Sequence, residues 1–324
     1  MKNLLNKRLI SAIEECIPEG QSTASFLADI LSTGKEAVYR RLRGDVLFSF
    51  DEVAKISRTL NLSLDNIVGA NNADKVLVEL SIMKSPNMIE NFKQMMLNTT
   101  RHIERISTYP NSESRVAFNI LPWSFYLNYD NLARFSIYKW VYQRNINSDT
   151  LHFSDFSLPS GIKECNQKYV FAFREIKNSC VILDWSVFIA FIKDIDYFVK
   201  LGLIARPDLL LIQEELLSLL NEIEGFTVSG RYANGNTISI YLSNIEFETP
   251  YVHLKSDSYE CCHIRIFSIN GINSENSEIC QEQKRWIETL KRYSTLITQS
   301  GEIQRAEYFK TQREHIKKMS TVLA

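Results

Sequence analysis

Residues 27–44 read LADILSTGKEAVYRRLRG, and residues 49–69 continue SFDEVAKISRTLNLSLDNIVG. The first stretch holds two short amphipathic segments separated by a break. Leu27, Ile30 and Leu31 recur at helical spacing, with Thr23 placed to cap the helix. Ser32-Thr33-Gly34 interrupts the pattern. A second helix is predicted from Lys35 to Arg43, stopped by Gly44, a residue type that tolerates the left-handed conformation after a helix. Ser49-Phe50-Asp51-Glu52 has the spacing of a capping box, in which serine and glutamate each take an amide of the first helical turn. Val53, Ile56 and Leu60 form the buried stripe of that helix, and Ser63 is placed to cap a short helix Leu64–Val68. Upstream, Leu5, Leu9, Ala12, Ile13 and Cys16 mark one more helix, ended by Pro18-Glu19-Gly20. Five short helices therefore precede residue 70.

Charge is unevenly placed. Lys35, Arg40, Arg41 and Arg43 fall within nine residues and only Glu36 opposes them, although the chain has a formal net charge of -1 and residues 1–70 carry nine acids and nine bases. At 3.6 residues per turn, Lys35, Tyr39 and Arg43 share a face, with Glu36 and Arg40 on its neighbour. Val38 and Leu42 lie toward the opposite side and anchor the helix. Glu36 and Arg40 stand four apart, the spacing of an intrahelical ion pair. A focused cationic face on a neutral domain predicts weak binding to nonspecific DNA.

The segment resembles the DNA-binding domain of Cro/C1-type (XRE) repressors over about residues 22 to 69. Leu27-Ala28, Leu31, Val38, Arg43-Gly44 and the SLDNIV ending carry the resemblance. It implies a helix-turn-helix whose recognition helix, Gly34 to Arg43, enters the major groove of double-stranded DNA as one half of a homodimer. The DNA-facing residues expected are Thr33, Gly34, Lys35, Glu36, Tyr39, Arg40 and Arg43. Lys35, Arg40 and Arg43 suit guanine edges or phosphates, Glu36 suits a cytosine amino group, and the amides at Thr33 and Gly34 suit phosphate. The chain departs from the family at Ala24, where a glutamine that fixes the phosphate backbone is usual; Ser22, Thr23 or Ser25 stand beside it as substitutes.

A chain of 324 residues, 45% hydrophobic, has material for two or three packed cores. The expected organisation is a multidomain α+β protein. Residues 1–70 form an all-α helix-turn-helix domain, with the boundary at Gly69–Asp74. Residues 71–110 contribute linker or dimerisation helices, at about 74–83 and 87–107. Residues 111–324 form an α+β effector or dimerisation domain with an antiparallel sheet flanked by helices. Within it, Arg115–Leu121 reads as a strand, 123–144 as helix, and 145–160 as loop or strand. Residues 161–177 fit a helix better than a strand. Asp184–Leu203 reads as a helix, and another from Pro207 is closed by Gly225. Residues 226–232 and 237–243 flank Asn234-Gly235, a strong hairpin signal. A further strand is expected near 262–267, with closing helices at 276–298 and 302–320.

Chemistry is not advertised. The histidines His102, His152, His253, His263 and His315 fall in no metal-ligand spacing, and no nucleophile elbow, phosphate loop or dinucleotide fingerprint is present. Cys261-Cys262-His263 is adjacent along a strand, so its side chains alternate faces; a core cysteine with an exposed histidine is the reading. No catalytic residue, metal or cofactor is expected. Unpaired cysteines and the lack of a signal peptide or apolar span point to a reduced, cytoplasmic protein. The aromatic run Trp123, Phe125, Tyr126, Tyr129, Phe135, Tyr138, Trp140 and Tyr142 suits either a core or the pocket of a small-molecule effector. A sequence-specific transcriptional regulator is the expectation. A protein-binding adaptor of the toxin–antitoxin or assembly type and an enzyme with a regulatory N-terminal module are the alternatives.

Overall fold

The computed structural model describes residues 4–17, 22–60, 62, 64–68, 78–82, 88–144, 151–257, 259–266 and 268–319. The chain divides into two compact units, Met1–Val76 and Leu77–Ala324. The expected boundary at Gly69–Asp74 and the Ser63 cap lie outside the described residues.

In the first unit α1 (Leu4–Cys16), α2 (Thr23–Leu31), α3 (Lys35–Leu42), α4 (Phe50–Leu60) and α5 (Leu64–Val68) follow in order. They close over Leu9, Ile13, Ala24, Leu27, Leu31, Val38, Phe48, Ile56 and Ile67. Ser22, not Thr23, is the N-cap of α2, its Oγ accepting from the Ser25 amide. Ser32 adopts the left-handed conformation, at φ 52°, and ends α2 by returning its amide to Ala28 and Asp29.

The second unit is mixed α+β, built on a mostly antiparallel sheet. Its elements run β1 (Glu79–Ser81), α6 (Met88–Ser107), β2 (Glu113–Phe118), α7 (Trp123–Tyr126), α8 (Asp130–Arg144), α9 (Ile162–Arg174), β3 (Asn178–Leu183), α10 (Val187–Lys200), α11 (Arg206–Ser229), β4 (Thr237–Ser243), β5 (Tyr251–Lys255), β6 (Glu260–Ile266), β7 (Asn270–Ser274), α12 (Ser277–Arg292), β8 (Ser294–Leu296) and α13 (Glu302–Lys318). The eight strands lie in the order β1-β7-β6-β5-β2-β3-β4-β8. The centre departs from the antiparallel expectation, because β2–β3 and β3–β4 are parallel while every other neighbouring pair is antiparallel. Each parallel link needs a long crossover, which α7–α9 and α10–α11 supply. Alternation along β2 sends Val116 and Phe118 into the large helical core, and Ala117 to the opposite face, where Ile287 and Leu290 of α12 cover it.

Several expectations fail for identifiable reasons. Where a helix was expected at 74–83, the described residues form β1, because Glu79–Ser81 pairs with β7 at the sheet edge. The helix expected at about 87–107 does form, as α6, and it buries Phe92, Met96, Ile103 and Ile106 in the second unit's core. Residues 226–229 are not a strand. They are the last turn of α11, which runs past Gly225 and stops at Gly230, φ 68°. Phe226 and Thr227 continue the buried stripe of Leu219, Leu220 and Ile223, so helical packing overrides the alternation read from sequence. The Asn234-Gly235 turn forms, but it joins a helix to β4, which pairs with β3 and β8. The helix expected at 276–298 ends at Arg292 and gives way to β8.

Candidate nucleic-acid interface and a cleft in the second unit

In α3 the helical register separates the four cations. Val38 is fully buried, Leu42 packs on the same core, and Lys35, Glu36, Tyr39, Arg40 and Arg43 face solvent. Lys35 and Arg40 meet no carboxylate among the described residues. Arg43 donates to Asp45 at 3.0 Å and lies 3.9 Å from Glu36, so the Glu36–Arg40 pair expected from spacing gives way to Glu36–Arg43. These pairs are exposed and worth little. Gly34 is the N-cap in an extended conformation, with no side chain capping the helix, and a Cβ built on it meets nothing within 4 Å. The fold therefore does not require glycine there, and the helix start is open to close approach. Thr33 is half-buried beside it, and Ala24 is core and cannot reach a partner.

Arg41 has a different task. Its Nη2 lies 2.8 Å from Glu52 Oε1, its Nε donates to Glu52 Oε2 at 3.0 Å, and its Nη1 donates to the Ala37 carbonyl. Glu52 also completes the capping box: its Oε2 accepts from the Ser49 amide at 2.8 Å, and Ser49 Oγ accepts from the Glu52 amide at 3.2 Å. One carboxylate thus caps α4 and fastens it to α3. Burial alone would raise the pKa of Glu52, but the bonds from Arg41 and the Ser49 amide outweigh it and hold the group below the ordinary value of 4.5. A depressed carboxylate pKa stabilises the fold above its unfolded value, and that stability is lost as pH falls through the folded one. Arg41→Ala is therefore expected to lower the first unit's stability by about 1–2 kcal/mol at neutral pH. It should also flatten the loss of stability below about pH 4.5. Amide hydrogen exchange at Val38 across that range checks both effects; unchanged protection would remove the role assigned to Arg41.

The second unit holds a cleft of about 540 Å³. Asn119 and Leu121 approach it from the carboxyl end of β2, and Ser136, Lys139 and Trp140 from α8. Ala190, Phe191 and Asp194 line it from α10, Arg265 from the end of β6, and Glu248 and Ser268 from the adjoining loops. Lys139 and Asp194 pair across it at 2.6 Å. Arg265 lies with its guanidinium carbon 4.6 Å from the centre of the Trp123 ring, and its Nε donates to the Ser268 carbonyl. Burial lowers the pKa of Arg265, while Tyr126 and Tyr169 act in the opposite direction. Phe125, Tyr126, Phe135, Tyr138 and Trp140 of the aromatic run are all core, and Tyr126 and Trp140 reach the edge of the cleft. Nothing in the sequence foretold Arg265 or Asn119 as neighbours, since they converge only through the β2–β5–β6 pairing.

Three of the histidines, His102, His253 and His263, make side-chain bonds within the second unit. His253, fully buried, bonds Glu260 at 2.8 Å, and His102 bonds the Tyr259 hydroxyl, which donates to Glu275. His263 is not exposed as expected; it is half-buried, bonding Asn273 at 2.6 Å, with its ring packed so close over Gly271 that a Cβ there would overlap it. Cys262 is buried. Among the described residues no group of three or more His, Cys, Asp or Glu side chains is placed to hold a metal ion, and no helix is long and apolar enough to cross a membrane. No family model, curated protein or solved structure matches the chain.

Proposed function

We propose that this protein is a sequence-specific, DNA-binding transcriptional regulator. In this reading the first unit is a helix-turn-helix domain of the Cro/C1 kind, α3 lies in the major groove, and the protein acts in the cytoplasm as a homodimer. The observation that carries the reading is the division of labour on α3. Val38, Leu42 and Arg41 are committed to the fold. Lys35, Tyr39, Arg40 and Arg43 project from the exposed face, beside a helix start with no side-chain cap. Exposed lysine and arginine on one short helix are suited to phosphates and guanine edges, and uncapped amides to a phosphate. A single domain of this size contacts one half-site, so a dimer reading an inverted repeat, with half-sites about 34 Å apart, is the expected active form.

The test is selection of fragments from total genomic DNA by the purified full-length protein at about 150 mM salt, where weak nonspecific binding is suppressed. A small set of fragments sharing an inverted repeat is the expected result. Recovery of no enriched sequence would overturn the reading.

A further inference from the structure

The cleft of the second unit has a charge left over. Arg115, Arg134, Arg174 and Arg313, each partly buried, meet Glu113, Asp208, Glu222 and Glu224 at 2.6–2.9 Å. Lys139 is matched by Asp194. Arg265 meets no carboxylate among the described residues. Glu248, which also borders the cleft, is solvent-exposed and accepts from the Tyr251 hydroxyl at 3.4 Å. Arg265 is half-buried, and withdrawing a guanidinium even in part from water without a counter-charge costs free energy that a bound anion offsets. Here the group is also held in place, stacked on Trp123 and tied through Nε to Ser268. Its Nη edge is the part suited to a bidentate partner. Ile120, Ala190 and Ile266 supply partly exposed apolar surface, and the volume falls in the range of small-molecule sites.

We propose that this cleft binds a small organic carboxylate, with the carboxylate on Arg265 and an apolar body against the partly exposed Ile120, Ala190 and Ile266. A phosphate is disfavoured, because a dianion would face one unmatched cation with the Asp194 and Glu248 carboxylates nearby. The proposal does not depend on what α3 recognises.

Isothermal titration calorimetry on the full-length protein tests it, with naphthalene-2-carboxylate, the uncharged naphthalene-2-carboxamide and inorganic phosphate as probes. The carboxylate is expected to bind once per chain, the amide at least about tenfold more weakly, and phosphate not to displace the carboxylate. Arg265→Met, checked for folding by circular dichroism, is expected to erase the preference for the carboxylate. Ala190→Phe, which fills the cleft and removes none of its polar groups, is expected to abolish binding and serves as the deciding variant if Arg265→Met does not fold. Equal binding of carboxylate and amide overturns the proposal. So do displacement by phosphate, no binding of the carboxylate, and unchanged binding in the folded Arg265→Met or Ala190→Phe protein.

Discussion

A variant with alanine at Lys35, Arg40 and Arg43 together should lose sequence-selective DNA binding while keeping its fold. A specific bond between a side chain and a base is worth about 1–3 kcal/mol, and deleting a cation that neutralises a phosphate also flattens the salt dependence. Removing all three cations therefore weakens specific binding by at least about a hundredfold. Stability should change by less than about 0.5 kcal/mol per site, because all three side chains are exposed and, among the described residues, only Arg43 of the three has ionic partners, both of them weak. The measurement is a paired one, affinity for a selected fragment at several salt concentrations and thermal unfolding of the same preparation. Arg41→Ala is the internal control. It sits in the same cationic run, yet should cost stability first, through Glu52. If the triple variant selects the same fragments with unchanged affinity, the surface assigned to DNA is the wrong one.

Phe135→Ala should be strongly destabilising. Phe135 is fully buried and meets Phe153, Phe191 and Phe198 edge-on, at ring separations of 6.4, 5.4 and 5.8 Å. Loss of the ring removes its burial and leaves a cavity, at a cost of about 3–5 kcal/mol. That is a large share of the roughly 5–15 kcal/mol that holds a domain together. The four tryptophans, Trp123, Trp140, Trp185 and Trp286, all lie in the second unit, so denaturant unfolding followed by tryptophan fluorescence reports on that unit alone. A loss below about 1.5 kcal/mol would mean that neighbouring rings close the gap and that Phe135 is not a keystone of this core.

How well the sequence could be read depended on whether the deciding interaction was local. The Ser49–Glu52 box, the Gly44 stop and the helical registers of α2 and α3 are set within a few residues of each other, and these were readable. The division of the cationic run was only half readable: periodicity placed Lys35, Arg40 and Arg43 outward, but the tie from Arg41 to Glu52 spans eleven residues and two helices. In the second unit the strands β3, β5 and β7 went unread. The run Asn178–Leu183 is central, covered on both faces and flanked by parallel partners, so it lacks the alternation that marks a half-exposed strand. The terminal turn of α11 has the opposite problem: Phe226, Thr227 and Val228 favour a strand intrinsically, and the helical core overrides them. The cleft was the least readable of all, since its polar groups come from β2, α8, α10 and the end of β6.

The pairing of Ser81 with Gly271 sets an order of events during synthesis. An edge strand near residue 80 has no partner until the ribosome has delivered β7, some 190 residues later. The helices of the first unit need only one another and have what they need long before that. For most of translation, then, a finished helical module precedes a half-made sheet whose central parallel strands still lack their antiparallel flanks. Exposed strand edges of this kind are where chains associate wrongly. The second unit, not the first, should decide how much of this protein reaches its native state in the cell.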